Sequence, residues 1–123
     1  MRLAVYLAAP IATIMLAAVA NAAGPYDGTY VGTSLTFSGT TTGGKGNACG
    51  TTATAPGPLT ISNGHAQTKW GDGALQGDVG PTGQLIMHSN LSGRFEGQID
   101  ASGTVKGTYQ GVCIFALAWQ RRG

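Results

Sequence analysis

Apolar and polar residues alternate along most of the chain after Ala22. Leu75, Gly77 and Val79 alternate with Gln76 and Asp78. Phe95, Gly97 and Ile99 alternate with Arg94, Glu96 and Gln98, and Val105, Gly107 and Tyr109 alternate with Thr104, Lys106 and Thr108. A period of two is that of a strand with one face on a core and the other in water. The pattern predicts strands near 28–38, 49–55, 58–62, 65–70, 74–79, 84–89, 93–99, 104–110 and 112–121. Helical periodicity is absent after residue 22.

Two of these segments form a repeat. Leu75–Leu85 and Phe95–Val105 share one order: apolar, polar, Gly, polar, β-branched, three turn residues, Gly, polar, apolar. Each reads as a β-hairpin whose loop ends in a glycine at positive φ. Leu59–Ser62 followed by Asn63-Gly64 predicts an earlier hairpin on a strong turn pair. Sequential hairpins make an antiparallel meander. The expected fold is therefore all-β, with eight or nine short strands in a barrel, a curved sheet or a sandwich. The inward glycines either bend their strands or leave room for a neighbouring ring, with Tyr109, Phe115 and Trp119 as the candidates.

The last strand differs from the others. Cys113, Phe115, Leu117 and Trp119 share one face, and Val112, Ile114, Ala116 and Ala118 share the other. Apolar residues on both faces predict burial on both sides. The second face is expected to be covered by the N-terminal segment or by another protein, with cover from within the chain preferred because large exposed apolar patches are rare in monomers.

The first 22 residues carry a different signal. Arg2 precedes a largely apolar run from Leu3 to Val19, and Ala20-Asn21-Ala22 presents small residues as a signal peptidase reads them. Residues 1–22 are expected to be a cleaved bacterial-type signal peptide and 23–123 a single domain. Pro10 breaks the run, and no Lys or Arg follows until Lys45, which argues against a retained membrane anchor. Strands of six or seven residues with charged outer faces argue against an outer-membrane barrel. Export to the periplasm or the cell exterior is expected, with no transmembrane span once the signal is gone.

Composition then narrows the chemistry. The chain has 21 glycines, all after Ala22, and only 10% charged residues at a formal net charge of +2. With no basic cluster, nucleic acid is not an expected partner. Cys49 and Cys113 are the two cysteines, and in an oxidising compartment they read as one disulfide. Asp72 and Asp100 sit in turn contexts, and Asp78 and Glu96 sit on the polar face, so no two carboxylates converge as a glycosidase requires. His65 and His88 have no acid at a matched spacing. Gly43-Gly44-Lys45-Gly46 lacks the phosphate-loop pattern. No catalytic, metal or cofactor site is expected.

A binding role is left. The loop Thr40–Asn47, with Lys45, has no apolar residue to pin it, and Tyr26 and Tyr30 lie in the stretch Gly24–Tyr30. Together they read either as a working surface or as a passive connector with two core tyrosines. The inward glycines suggest a second possibility, an interior pocket lined by Phe95, Tyr109 and Trp119.

The opening Tyr26-Asp27-Gly28-Thr29-Tyr30-Val31-Gly32, the Gly-x-Val/Ile hairpins and the closing Cys113-x-Phe115-x-Leu117-x-Trp119 resemble small exported glycine-rich β proteins of proteobacteria. Those proteins are largely of unknown function. Size, single disulfide and antiparallel strands are also similar to periplasmic barrel inhibitors of proteases or lysozyme, whose inhibitory motifs are not visible. The resemblance implies a non-catalytic module that binds or inhibits an envelope or extracellular protein. The alternative is a calycin-like barrel for a small ligand. Oligomeric state is open.

Overall fold

Eight strands follow one another around a closed antiparallel barrel in sequence order. They are β1 (Gly28–Thr40), β2 (Leu59–Ser62), β3 (His65–Trp70), β4 (Gly73–Val79), β5 (Gln84–Ser89), β6 (Arg94–Ile99), β7 (Thr104–Gln110) and β8 (Cys113–Arg121). The computed structural model describes residues 24–40, 49, 53–71, 73–90 and 92–122. Among the described residues there is no helix long and apolar enough to cross a membrane.

The hairpin repeat is a structural repeat. Gly83 and Gly103 both lie at positive φ, +92° and +85°. Each donates its N–H three residues back, to Gly80 and to Asp100, at 3.0 Å. Each turn glycine then accepts from the next hairpin: Ile99 N–H donates to Gly83 at 2.8 Å, and Arg121 N–H donates to Gly103 at 2.9 Å. Gly64 accepts from Val79 in the same way. Asn63 and Gly64 both have positive φ, as a type I′ turn requires.

The inward face follows the alternation. Leu75, Leu85, Phe95, Val105, Leu117 and Trp119 are buried, while Gln76, Asp78, Glu96 and Lys106 are exposed. The glycines of the inward rows are where backbones and one ring come close. A Cβ on Gly77 would meet the Ile86 carbonyl, and one on Gly97 or Gly107 would meet the ring of Phe95 as well as backbone. The ring that uses this room is thus Phe95, which the candidates Tyr109, Phe115 and Trp119 did not include.

Three expectations need correction. The strand expected at 49–55 is not formed: residues 53–58 are irregular, while 50–52 lie outside the described residues. Pro56 and Pro58 break any ladder there. Among the described residues the count is eight, within the eight or nine expected. Strand β1 is longer than the expected 28–38, reaching Thr40 with register shifts at Gly32/Ser34 and Phe37/Gly39 that let it wrap along β8. The second face of β8 is only partly buried: Ile114 and Ala118 are half-buried, Ala116 is exposed, and Val112, just ahead of the strand, is 63% exposed. Alanines add little apolar area, so this row stays at the surface at low cost.

Candidate functional site

The two ends of the barrel are built differently. At the end holding the start of β1, the chain seals itself. Asp27 accepts hydrogen bonds from the Asn63 and Gly64 N–H groups at 2.7 and 3.1 Å. Tyr30 is fully buried, and its hydroxyl donates to the Tyr26 carbonyl at 2.6 Å. That hydroxyl accepts from Arg121 Nη2 at 2.7 Å and Nε at 3.1 Å, and Nη2 also donates to the Pro25 carbonyl at 3.1 Å. The guanidinium carbon lies 5.3 Å from the centre of the Tyr30 ring. The chain before β1 is therefore bound to the last strand.

Tyr26 and Tyr30 thus follow the core-tyrosine alternative, while residues 41–47 of the loop, Lys45 among them, fall outside the described residues. Tyr30 is a core residue, and Tyr26 is half-buried and packed on the core. Tyr30 pairs with Arg121, whereas Thr40 pairs with Cys113 at the far end of the strand. Ten residues of strand separate them, roughly 30 Å. Thr40, the first residue of that loop, lies at the opposite end of the barrel.

At that opposite end, β2 is only four residues long and pairs with β1 over Gly28–Tyr30 alone. Above Tyr30, β1 has no β2 beside it. Residues 53–58 run there as a strap. The Leu35 N–H donates to the Thr54 carbonyl at 2.9 Å. The Trp119 indole Nε1 donates to the Gly57 carbonyl at 2.8 Å, and Thr68 Oγ1 donates to the same carbonyl at 3.3 Å. Pro56 is buried against Gly32, where a Cβ would strike the Pro56 carbonyl. The disulfide Cys49–Cys113, with Cα atoms 5.8 Å apart, joins the chain ahead of the strap to β8.

Between strap and barrel lies a pocket of about 460 Å³. Leu35, Ala53, Ala55, Pro56, Trp70 and Phe115 line it, with the disulfide at its border. Four rings run across this mouth. Phe37 meets Phe115 at 5.9 Å, Phe115 meets Trp70 at 5.6 Å, and Trp70 meets Tyr109 at 4.7 Å between ring centres. Phe37 is 43% exposed.

Phe95, Tyr109 and Trp119 do not border a common cavity. Phe95 and Trp119 expose no surface even to a water-sized probe and pack edge to face at 5.5 Å. They fill the interior. Tyr109 belongs to the ring row at the mouth, with its hydroxyl 3.5 Å from Ser89 Oγ. The residues that build the mouth were not singled out in the sequence, apart from the two cysteines, Tyr109 and Phe115. Trp70 carried a signal, as a large ring at the last inward position before the Gly71-Asp72-Gly73 turn.

The charged groups stay apart. His65 Nδ1 is 3.5 Å from Asp78 on the exposed face, and Arg94 pairs with Glu96. Among the described residues, no three of His, Cys, Asp and Glu gather as a metal site. Partial desolvation alone would raise the Asp27 pKa, but hydrogen bonds from the Asn63, Gly64 and Gly24 backbone outweigh it and hold the carboxyl below its ordinary value. The Ser102 hydroxyl, then the Thr104 N–H, hold Asp100 low in the same way. Both carboxylates organise turns at the sealed end. Compared with protein-family models, curated proteins and solved structures, the chain matches none.

Proposed function

We propose that this chain is a non-catalytic binding module of an oxidising compartment outside the cytoplasm, and that it binds or inhibits another protein through the disulfide-tied end of the barrel. The observation that carries this reading is the asymmetry of the ends. One is closed by Arg121, Tyr30 and Asp27, while the other presents an apolar mouth beside exposed Phe37 and Val112. A filled core with an apolar patch at one end suits a surface that recognises a protein. The signal-like residues 1–22 and the Cys49–Cys113 bond support export. A small-ligand barrel is the second reading. It is favoured by the mouth pocket, whose 460 Å³ falls in the range of ligand sites.

The test is capture from an envelope extract by the exported protein and two variants. Val112→Asp, at the mouth, should lose the captured partner. Ile86→Asp, on an exposed apolar residue of the barrel wall, should keep it. Capture that fails with Ile86→Asp and survives Val112→Asp overturns the reading.

A further inference from the structure

We infer that the pocket beneath the strap is a subsite for an aromatic ring, supplied by a side chain of the partner polypeptide. This rests on the reading that the open end meets the target. Trp70 and Phe115 stand at 78° to one another in the pocket wall. A third ring can stack on one and meet the edge of the other, the two arrangements that ring quadrupoles favour. Leu35, Ala53, Ala55 and Pro56 make the remaining wall apolar.

Among the described residues, Lys69 is the one charged residue of the lining, and it is solvent-exposed on the outward side of β3. The Gly57 carbonyl already accepts from Trp119 and Thr68. The strap is fixed at Leu35, Gly32 and Trp119, so the site is formed before the ring arrives and little ordering opposes binding.

The test is a resonance-by-resonance NMR titration of the oxidised protein with p-cresol and with cyclohexanol, a ring of similar size that has no π face. The expected result is p-cresol shifts confined to Leu35, Ala53, Ala55, Trp70 and their neighbours, with cyclohexanol at least tenfold weaker. Ala55→Trp fills the pocket and should abolish the response. Ala53→Leu does so more gently if the larger change does not fold. A capped Gly-Tyr-Gly peptide should bind at least tenfold more tightly than p-cresol, and Gly-Ala-Gly should not bind. Equal binding of cyclohexanol, shifts scattered over the barrel, or unchanged p-cresol binding in both filled variants would overturn the subsite. A peptide no tighter than p-cresol would overturn the polypeptide source. If p-cresol binds at the strap while partner capture ignores Val112→Asp, the protein-target reading falls and the subsite stands.

Discussion

Arg121 Nη2 donates to the Tyr30 hydroxyl at 2.7 Å, joining residues 91 apart in sequence. The bond closes the barrel twice, because β1 and β8 are also paired along their length. It also explains why Tyr30, an aromatic near the chain start, is not a recognition group. Its hydroxyl is fully engaged, giving one bond and accepting two.

Tyr30→Phe keeps the ring and removes that hydroxyl. It leaves the Tyr26 carbonyl without its hydroxyl donor and the Arg121 guanidinium with the Pro25 carbonyl but no hydroxyl acceptor. Unmet polar groups of this kind cost about 1–3 kcal/mol. Urea unfolding of the variant should show that loss, with target binding unchanged. A variant as stable as the parent would show that water replaces the hydroxyl at no cost.

The Cys49–Cys113 bond closes 64 residues of separation. On the chain-entropy account such a loop contributes about 4 kcal/mol. The double variant Cys49→Ala/Cys113→Ala should unfold at a correspondingly lower urea concentration. Hydrogen exchange should rise first in residues 53–57, since the strap loses its covalent anchor upstream. An unchanged midpoint would mean that the bond is not formed in the exported protein.

Two glycines separate crowding from flexibility. A Cβ on Gly77 has nowhere to go against the Ile86 carbonyl and the Met87 Cα, whereas one on Gly57 meets nothing within 4 Å. Gly77→Ala should destabilise the barrel by roughly 1–3 kcal/mol, as overpacking does. Gly57→Ala should change stability by less than about 0.5 kcal/mol. Thermal unfolding of the pair checks the contrast, and equal effects would contradict the close strand contact.

Acid should loosen the sealed end. The Asp27 and Asp100 carboxyls are held below their ordinary value of 3.8 in the fold. A depressed carboxyl contributes its stability above that value and loses it as pH falls through the folded pKa. Stability should therefore decline below about pH 4. In Asp27→Asn/Asp100→Asn the decline should be shallower. An acid slope identical to the parent's would remove these turns from the account.

The barrel was legible because its strands are local. Each of β3 to β7 pairs with its sequence neighbour, and the turn glycines at 64, 83 and 103 announce the hairpins. The ends were not legible, because they depend on contacts far apart in sequence. Nothing near Gly57 says that the Trp119 indole, 62 residues on, holds its carbonyl. The same is true of Arg121 and Tyr30. The stretch 49–55 reads as a strand in the sequence, yet its described residues 53–55 form none, and the Leu35 N–H bond to the Thr54 carbonyl ties them to the part of β1 that β2 leaves uncovered. Phe95 looked like a pocket wall because the glycines around it leave room, yet its own ring takes that room.

The central claim is that this barrel works through its disulfide-tied end. Hydrogen exchange by mass spectrometry, on the exported protein with and without its captured partner, tests that claim directly. The account predicts added protection in residues 35–40, 53–57, 70–71 and 112–115. Added protection at 24–30, 80–83 and 100–103 instead, with the mouth unchanged, would contradict it.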